Sequence, residues 1–191
     1  MLDIALKEWA VITDLLLGGR QAIVLRKGGI HEDEGPGRFR LAYSRFALFP
    51  AWEHQRVDWV KDRYQGMAED FEREPKTLQI KGVAEVPAGY IWTIPSREAF
   101  DLLDDLHGWK KPQIDMRFDY KPDRPIYLIA LRVYHLARPK TIAMNADYWG
   151  CKSWVDLRGD DRIDDTDITP AISDEDFDQI VKRIEGAMAA G

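Results

Sequence analysis

The segment IYLIALRVYHL, residues 126–136, restricts the fold more than any other. It opens with six consecutive apolar residues, branched and aromatic types dominate it, and it is far too short to cross a membrane. A strand that is apolar on both faces belongs at the centre of a sheet covered on both sides, so the rest of the chain has to supply layers for it. Further strands are expected at QAIVLRK (21–27), FRLAY (39–43), RFALF (45–49, closed by Pro50), TLQIKGVAEV (77–86) and GYIWTI (89–94).

Leu2, Leu6, Trp9, Ile12 and Leu16 recur every three to four residues, which predicts an opening helix of about four turns, stopped by Gly18-Gly19. A second, long amphipathic helix is expected from Ala51, through Trp52, Val57, Trp59, Val60, Tyr64, Met67 and Phe71, up to Pro75. Ser96 is placed to cap REAFDLLDDL, which runs towards Gly108. Ser173 opens a last helix with Phe177, Ile180, Val181, Ile184 and Met188 on one face. HEDEGPG (31–37) reads as a surface loop, and KKPQIDMRFDYKPDRP (110–125), with three prolines and five basic residues, as a long surface connection.

Strands that cluster between helices, without strict alternation, define an α+β class. The expectation is a single domain with a mixed or mainly antiparallel sheet, flanking helices and a C-terminal helix. The core domain is expected over 1–157, an acidic linker over 158–172 and the terminal helix over 173–191.

The 191 residues carry a net charge of -6. Residues 155–191 hold eleven acids and four bases, a net of -7, which leaves +1 for the body. Bulk electrostatic coating of nucleic acid or an anionic membrane is therefore excluded, while a local anion site is not. Cys151 is the one cysteine, so an internal disulfide and a multi-cysteine zinc site are excluded and a reducing, cytoplasmic setting is expected. No metal site is expected either: the acidic run 160–167 lacks the glycine and terminal glutamate of a calcium loop. No stretch is long and apolar enough for a membrane span, and no membrane partner is expected.

Four segments carry more polar chemistry than a core requires. In Arg26-Lys27-Gly28-Gly29 two cations leave a strand directly into two glycines, a turn able to present backbone N–H groups beside positive charge. Glu53, His54, Gln55 and Arg56 follow Trp52 at the expected start of a helix, where unpaired N–H donors favour an anion and Glu53 could take a proton. In Tyr148-Trp149-Gly150-Cys151-Lys152-Ser153-Trp154, Lys152 is a candidate anion contact, and Cys151, flanked by aromatics, is expected to be a buried packing thiol. Glu8, beside Lys7, is expected to pair with the Arg26-Lys27 cations as a structural salt bridge.

ALKEWA (5–10), LRKGGI (25–30), LFPAWEHQ (48–55), LRVYHL (131–136) and YWGCKSWVDL (148–157), in this order, resemble the bacterial family DUF1802. The resemblance covers most of residues 4–157, with YWGC standing where Tyr-Gly-Gly-Cys would be expected, and the acidic tail lies outside it. It implies no activity and no cofactor, since the family is one of unknown function. From the residues themselves, the leading expectation is a soluble intracellular domain that binds a nucleic acid or nucleotide through Arg26, Lys27, Arg56 and Lys152. The alternatives are a phosphodiesterase or nuclease-like hydrolase, and an adaptor or immunity-type protein whose acidic C-terminal segment meets a protein partner.

Overall fold

The computed structural model describes residues 1–27, 41–69 and 75–191. Gly28 and Gly29, the 31–37 segment, the start of FRLAY and Phe71 lie outside the described residues. Among the described residues nine strands form two sheets: β1 (Ile4–Trp9), β3 (Arg45–Ala51), β4 (Thr77–Glu85), β7 (Arg132–Ala143), β8 (Trp154–Asp156) and β9 (Ile168–Pro170) make a six-stranded sheet in the order β8-β1-β3-β4-β7-β9. β2 (Ile23–Arg26), β5 (Ile91–Thr93) and β6 (Tyr127–Ala130) make a three-stranded sheet in the order β2-β6-β5. Among these strands β1 and β3 run parallel, and the other pairings are antiparallel. With helices α1 (Ala10–Leu17), α2 (Asp62–Glu69), α3 (Arg97–Asp101), α4 (Lys111–Asp119) and α5 (Asp174–Ala189), this is an α+β domain with a mixed sheet and a C-terminal helix, as the residue pattern predicts.

The six-stranded sheet is apolar on both faces. Ile4 and Leu6 of β1 with Phe46 and Leu48 of β3 point into a large core against α1, the small sheet and α5, while Ala5, Ala47 and Phe49 face a second cluster with Tyr148, Val155 and Ile163. This is the two-residue period of a strand buried on both sides.

That burial corrects the opening helix. Residues 4–9 form a strand, flanked by β3 and β8, and the helix starts only at Ala10. The three-to-four spacing was misleading because a helix there would have exposed one face, whereas Ile4 to Glu8 are all buried. The 126–136 run is two strands: β6 is central in the small sheet, and β7 lies next to the edge strand of the large one. The chain passes from one sheet to the other at Leu131, whose amide donates to the Ala22 carbonyl at 2.8 Å.

Other boundaries differ too. β3 continues through Pro50 to Ala51. No helix begins at Ala51: a turn at Glu53–His54 and a 3-10 turn at Val57–Trp59 precede α2, which starts at Asp62. Residues 111–119, expected as a loop, form α4, because Pro112 sits in its first turn, where the missing N–H costs nothing, and Ile114 is buried. Ser96 does cap α3 by accepting from Ala99, but the helix ends at Asp101 and a 3-10 turn at Asp104–Leu106 completes the segment. The 158–172 segment carries edge strand β9 and the buried Ile163, which bridges to Leu2. Ser173 caps α5, and the buried Arg132 donates to the Ser173 carbonyl and pairs with Asp174, tying the helix to β7.

Candidate functional site

A cleft of about 410 Å³ opens at the carboxyl ends of the parallel pair β1 and β3. Lys7, Glu8, Trp9 and Ala51 come from those strand ends, Glu53 and His54 from the turn after β3, Arg26 from β2, Arg117 from α4, and Gly150 to Ser153 from the connection into β8. Four cationic side chains thus face two carboxylates in a chain whose overall charge is negative.

Its floor is built by Lys7. Adjacent residues of a strand point to opposite faces, so β1 sends Lys7 one way and Glu8 the other. The buried Lys7 Nζ donates to Glu53 Oε1 (2.8 Å), the Tyr148 carbonyl (2.8 Å) and the Gly150 carbonyl (2.9 Å), using all three of its protons. The Gly150 amide returns a bond to the same Glu53 oxygen at 2.9 Å. Gly150 has φ +94°, a left-handed conformation that suits a residue without a Cβ.

On the opposite face, Arg26 meets Glu8 at 2.7 Å, the ion pair expected from the sequence. Burial alone would raise the Glu8 carboxyl, yet the Arg26 and Arg117 guanidiniums hold it below its ordinary value. Burial pushes the Arg117 guanidinium down, with Glu8 opposing and Arg26 reinforcing that shift. Arg117 donates to the Leu25 carbonyl at 3.2 Å. Arg26 Nε is buried and has no hydrogen-bond partner among the described residues.

The two turns that Lys7 joins carry His54 and Cys151. His54 Nε2 lies 3.1 Å from Cys151 Sγ, and both residues are exposed. Cys151 is therefore not the packing thiol expected from its aromatic neighbours: Tyr148 takes the buried position, and the turn at Gly150 carries the thiol outward. His54 itself adopts φ +61°, an unusual conformation for a side-chain-bearing residue.

The remaining sequence candidates are dispersed. Lys27 donates to the Arg117 and Phe118 carbonyls, both at 2.7 Å, and so neutralises the carboxyl end of α4; partial burial pushes its amine down, with Asp119 opposing. Gln55 accepts from the Val11 amide at 3.0 Å and thereby serves the first turn of α1. Arg56 makes a two-point pair with Asp58 and lies over the Trp59 ring, away from the cleft. Lys152 lines the cleft, with Nζ on the Asp147 carbonyl. Glu53, His54 and Arg26 share the cleft with it. Arg117 was missed because its segment reads as a loop; the signal for it was Pro112 at a helix start, with Ile114 as apolar anchor. Among the described residues no group of three His, Cys, Asp or Glu side chains is placed to hold a metal ion, and no helix is long and apolar enough to cross a membrane.

Fold and cleft together define a small α+β domain with a polar cleft at the end of a parallel strand pair. The chain belongs to the DUF1802 family, a domain of unknown function, whose family model matches residues 5–183. The match reaches well past Leu157, so the acidic segment and most of α5 are part of the family domain and not an addition to it. No curated protein is similar enough in sequence to count as a relative. Among solved structures, the fold is similar to the crystal structure of ASCH from Zymomonas mobilis, with 13% identity, a TM-score of 0.44, and 83% of this chain and 89% of that chain covered. A serine-to-alanine variant of the same Zymomonas mobilis protein gives 14% identity and a TM-score of 0.42, with 83% and 92% covered.

Proposed function

We propose that the cleft between β1, β3 and the 150–153 turn binds a phosphate-bearing ligand, a nucleotide or a short stretch of nucleic acid. The observation that carries this reading is the excess of cations at one concave place in an acidic chain: Arg26, Arg117, Lys7 and Lys152 against Glu8 and Glu53. Trp9 lines the same cleft and offers an indole face on which a base can stack. Lys7 is fully engaged and acts through its field, whereas Lys152, tethered only to a backbone carbonyl, can turn to a phosphate. Lys27 and Arg56, also expected from the sequence in this role, are occupied elsewhere.

Titration calorimetry with ATP and with a short single-stranded oligonucleotide, at low and at high salt, tests the reading. Binding should weaken with salt, weaken in Lys152→Glu, and remain in Arg56→Ala. Absence of binding by both probes at low salt, or binding indifferent to Lys152→Glu, would overturn it.

A further inference from the structure

We propose that Cys151 and His54 form a nucleophile and its general base, and that the cleft carries out acyl transfer to water from an ester or thioester bearing an anionic group. The anionic part rests on the proposed phosphate-binding function; the thiol chemistry stands apart from it.

Three observations support the pair. His54 and Cys151 come from chain segments 97 residues apart and meet at 3.1 Å, within reach for proton transfer. Lys7 bonds to both segments, through Glu53 on one side and through the Tyr148 and Gly150 carbonyls on the other, so the approach is held by a buried clamp rather than by the exposed side chains themselves. Independently, the Arg26 side chain, nine-tenths buried and paired with Glu8, lines the same cleft, and its buried Nε has no partner among the described residues, so the cleft holds a guanidinium whose hydrogen bonding is incomplete.

The position of the base selects the reaction. Displacement at phosphorus runs in line, with the leaving group on the side opposite the nucleophile, so an imidazole against the attacking sulfur cannot also protonate the leaving oxygen. Addition to a carbonyl carbon places the nucleophile and the leaving group on the same tetrahedral centre, where one imidazole serves both. In the tautomer with its proton on Nδ1, His54 Nε2 takes the Sγ–H proton as sulfur adds to the carbonyl carbon. The intermediate collapses, the C–O or C–S bond to the leaving group breaks, and that group takes the proton from the imidazolium, which leaves a thioester on Cys151. Water then adds with His54 as base, the thioester C–S bond breaks, and the thiol is restored; ester and water have become acid and alcohol.

The test uses the full chain with p-nitrophenyl acetate as a neutral activated ester. Intact mass should show an acetyl group on Cys151 and none in Cys151→Ser. His54→Asn, chosen because asparagine tolerates a positive φ, should slow acetylation by roughly tenfold or more at an unchanged unfolding midpoint. Acetylation at equal rates in the wild type and His54→Asn, or none on Cys151, would overturn the pair. Separately, iodoacetate should alkylate Cys151 faster relative to iodoacetamide than it does a free cysteine, and Lys152→Glu should lower that ratio. A ratio equal to that of free cysteine would overturn the anionic preference while leaving the thiol chemistry to the acetylation result.

Discussion

The Nζ of Lys7 lies 2.8 Å from Oε1 of Glu53, and one end of that pair is buried in the sheet while the other stands at the rim of the cleft. An ammonium group with three acceptors and a carboxylate that also accepts the Gly150 amide form a closed polar network. Removing the cation leaves the acceptors without their donor. Lys7→Met should therefore destabilise the protein by about 3 kcal/mol, in the range for breaking a buried pair by deleting one partner. Urea unfolding at pH 7 measures it, and a loss well under 1 kcal/mol would remove the clamp from the account.

His107 is buried and stacks on Phe100 with ring centroids 5.1 Å apart, its Nδ1 accepting from the Trp109 amide at 3.2 Å. Burial, helped by the nearby Lys61, pushes its imidazole down to about 4 from an ordinary 6.5. The folded state thus prefers the neutral ring. The stability this contributes is complete above pH 6.5 and is lost as pH falls from there through 4. Over that window the loss amounts to about 3 kcal/mol. Unfolding free energies measured at pH 7 and pH 4 should differ by much less in His107→Gln than in the wild type.

Glu8 adds a second acid limb to the same curve. Its folded carboxyl lies below its ordinary 4.5, so its contribution is present above that value and is lost as pH falls through the lower, folded one. Glu8→Gln should flatten the stability profile below pH 4.5 while leaving the His107 limb intact. Denaturation curves at stepped pH separate the two.

Gly82 sits where the β4–β7 register shifts. A Cβ there would collide with the Tyr134 carbonyl oxygen and with Leu17 of α1. Gly82→Ala should cost about 1–3 kcal/mol through overpacking, visible as a lower thermal midpoint. An unchanged midpoint would mean that the strand and α1 can separate at no cost.

Much of the fold was legible because strands announce themselves by burial pattern: QAIVLRK and RFALF, apolar on both faces, and TLQIKGVAEV, alternating with one face buried, fall where β2, β3 and β4 stand. Ser96 and Ser173 were readable as caps because a side-chain acceptor beside a free amide is a local property. What failed depended on distant partners. Residues 4–9 carry a helical spacing, and only pairing with β3 and β8 makes them a strand. In the candidate site, Glu53, His54 and Cys151 were each conspicuous, but that Lys7 joins their turns follows from three bonds spanning 46 to 143 residues, which no local pattern encodes. Cys151 reads as a packing thiol beside Tyr148 and Trp154, yet adjacency in sequence does not place it in the same packing layer, and it stands exposed.

The break at Leu131 has a consequence for how the molecule comes apart. β6 and β7 belong to different sheets, yet one residue separates them, and that residue is bonded to the segment leading into β2. At this crossing there is no slack to absorb the loss of either sheet. Peeling the small sheet away would pull directly on β7, which in turn holds the start of α5 through Arg132. The two sheets should therefore unfold together, in a single transition.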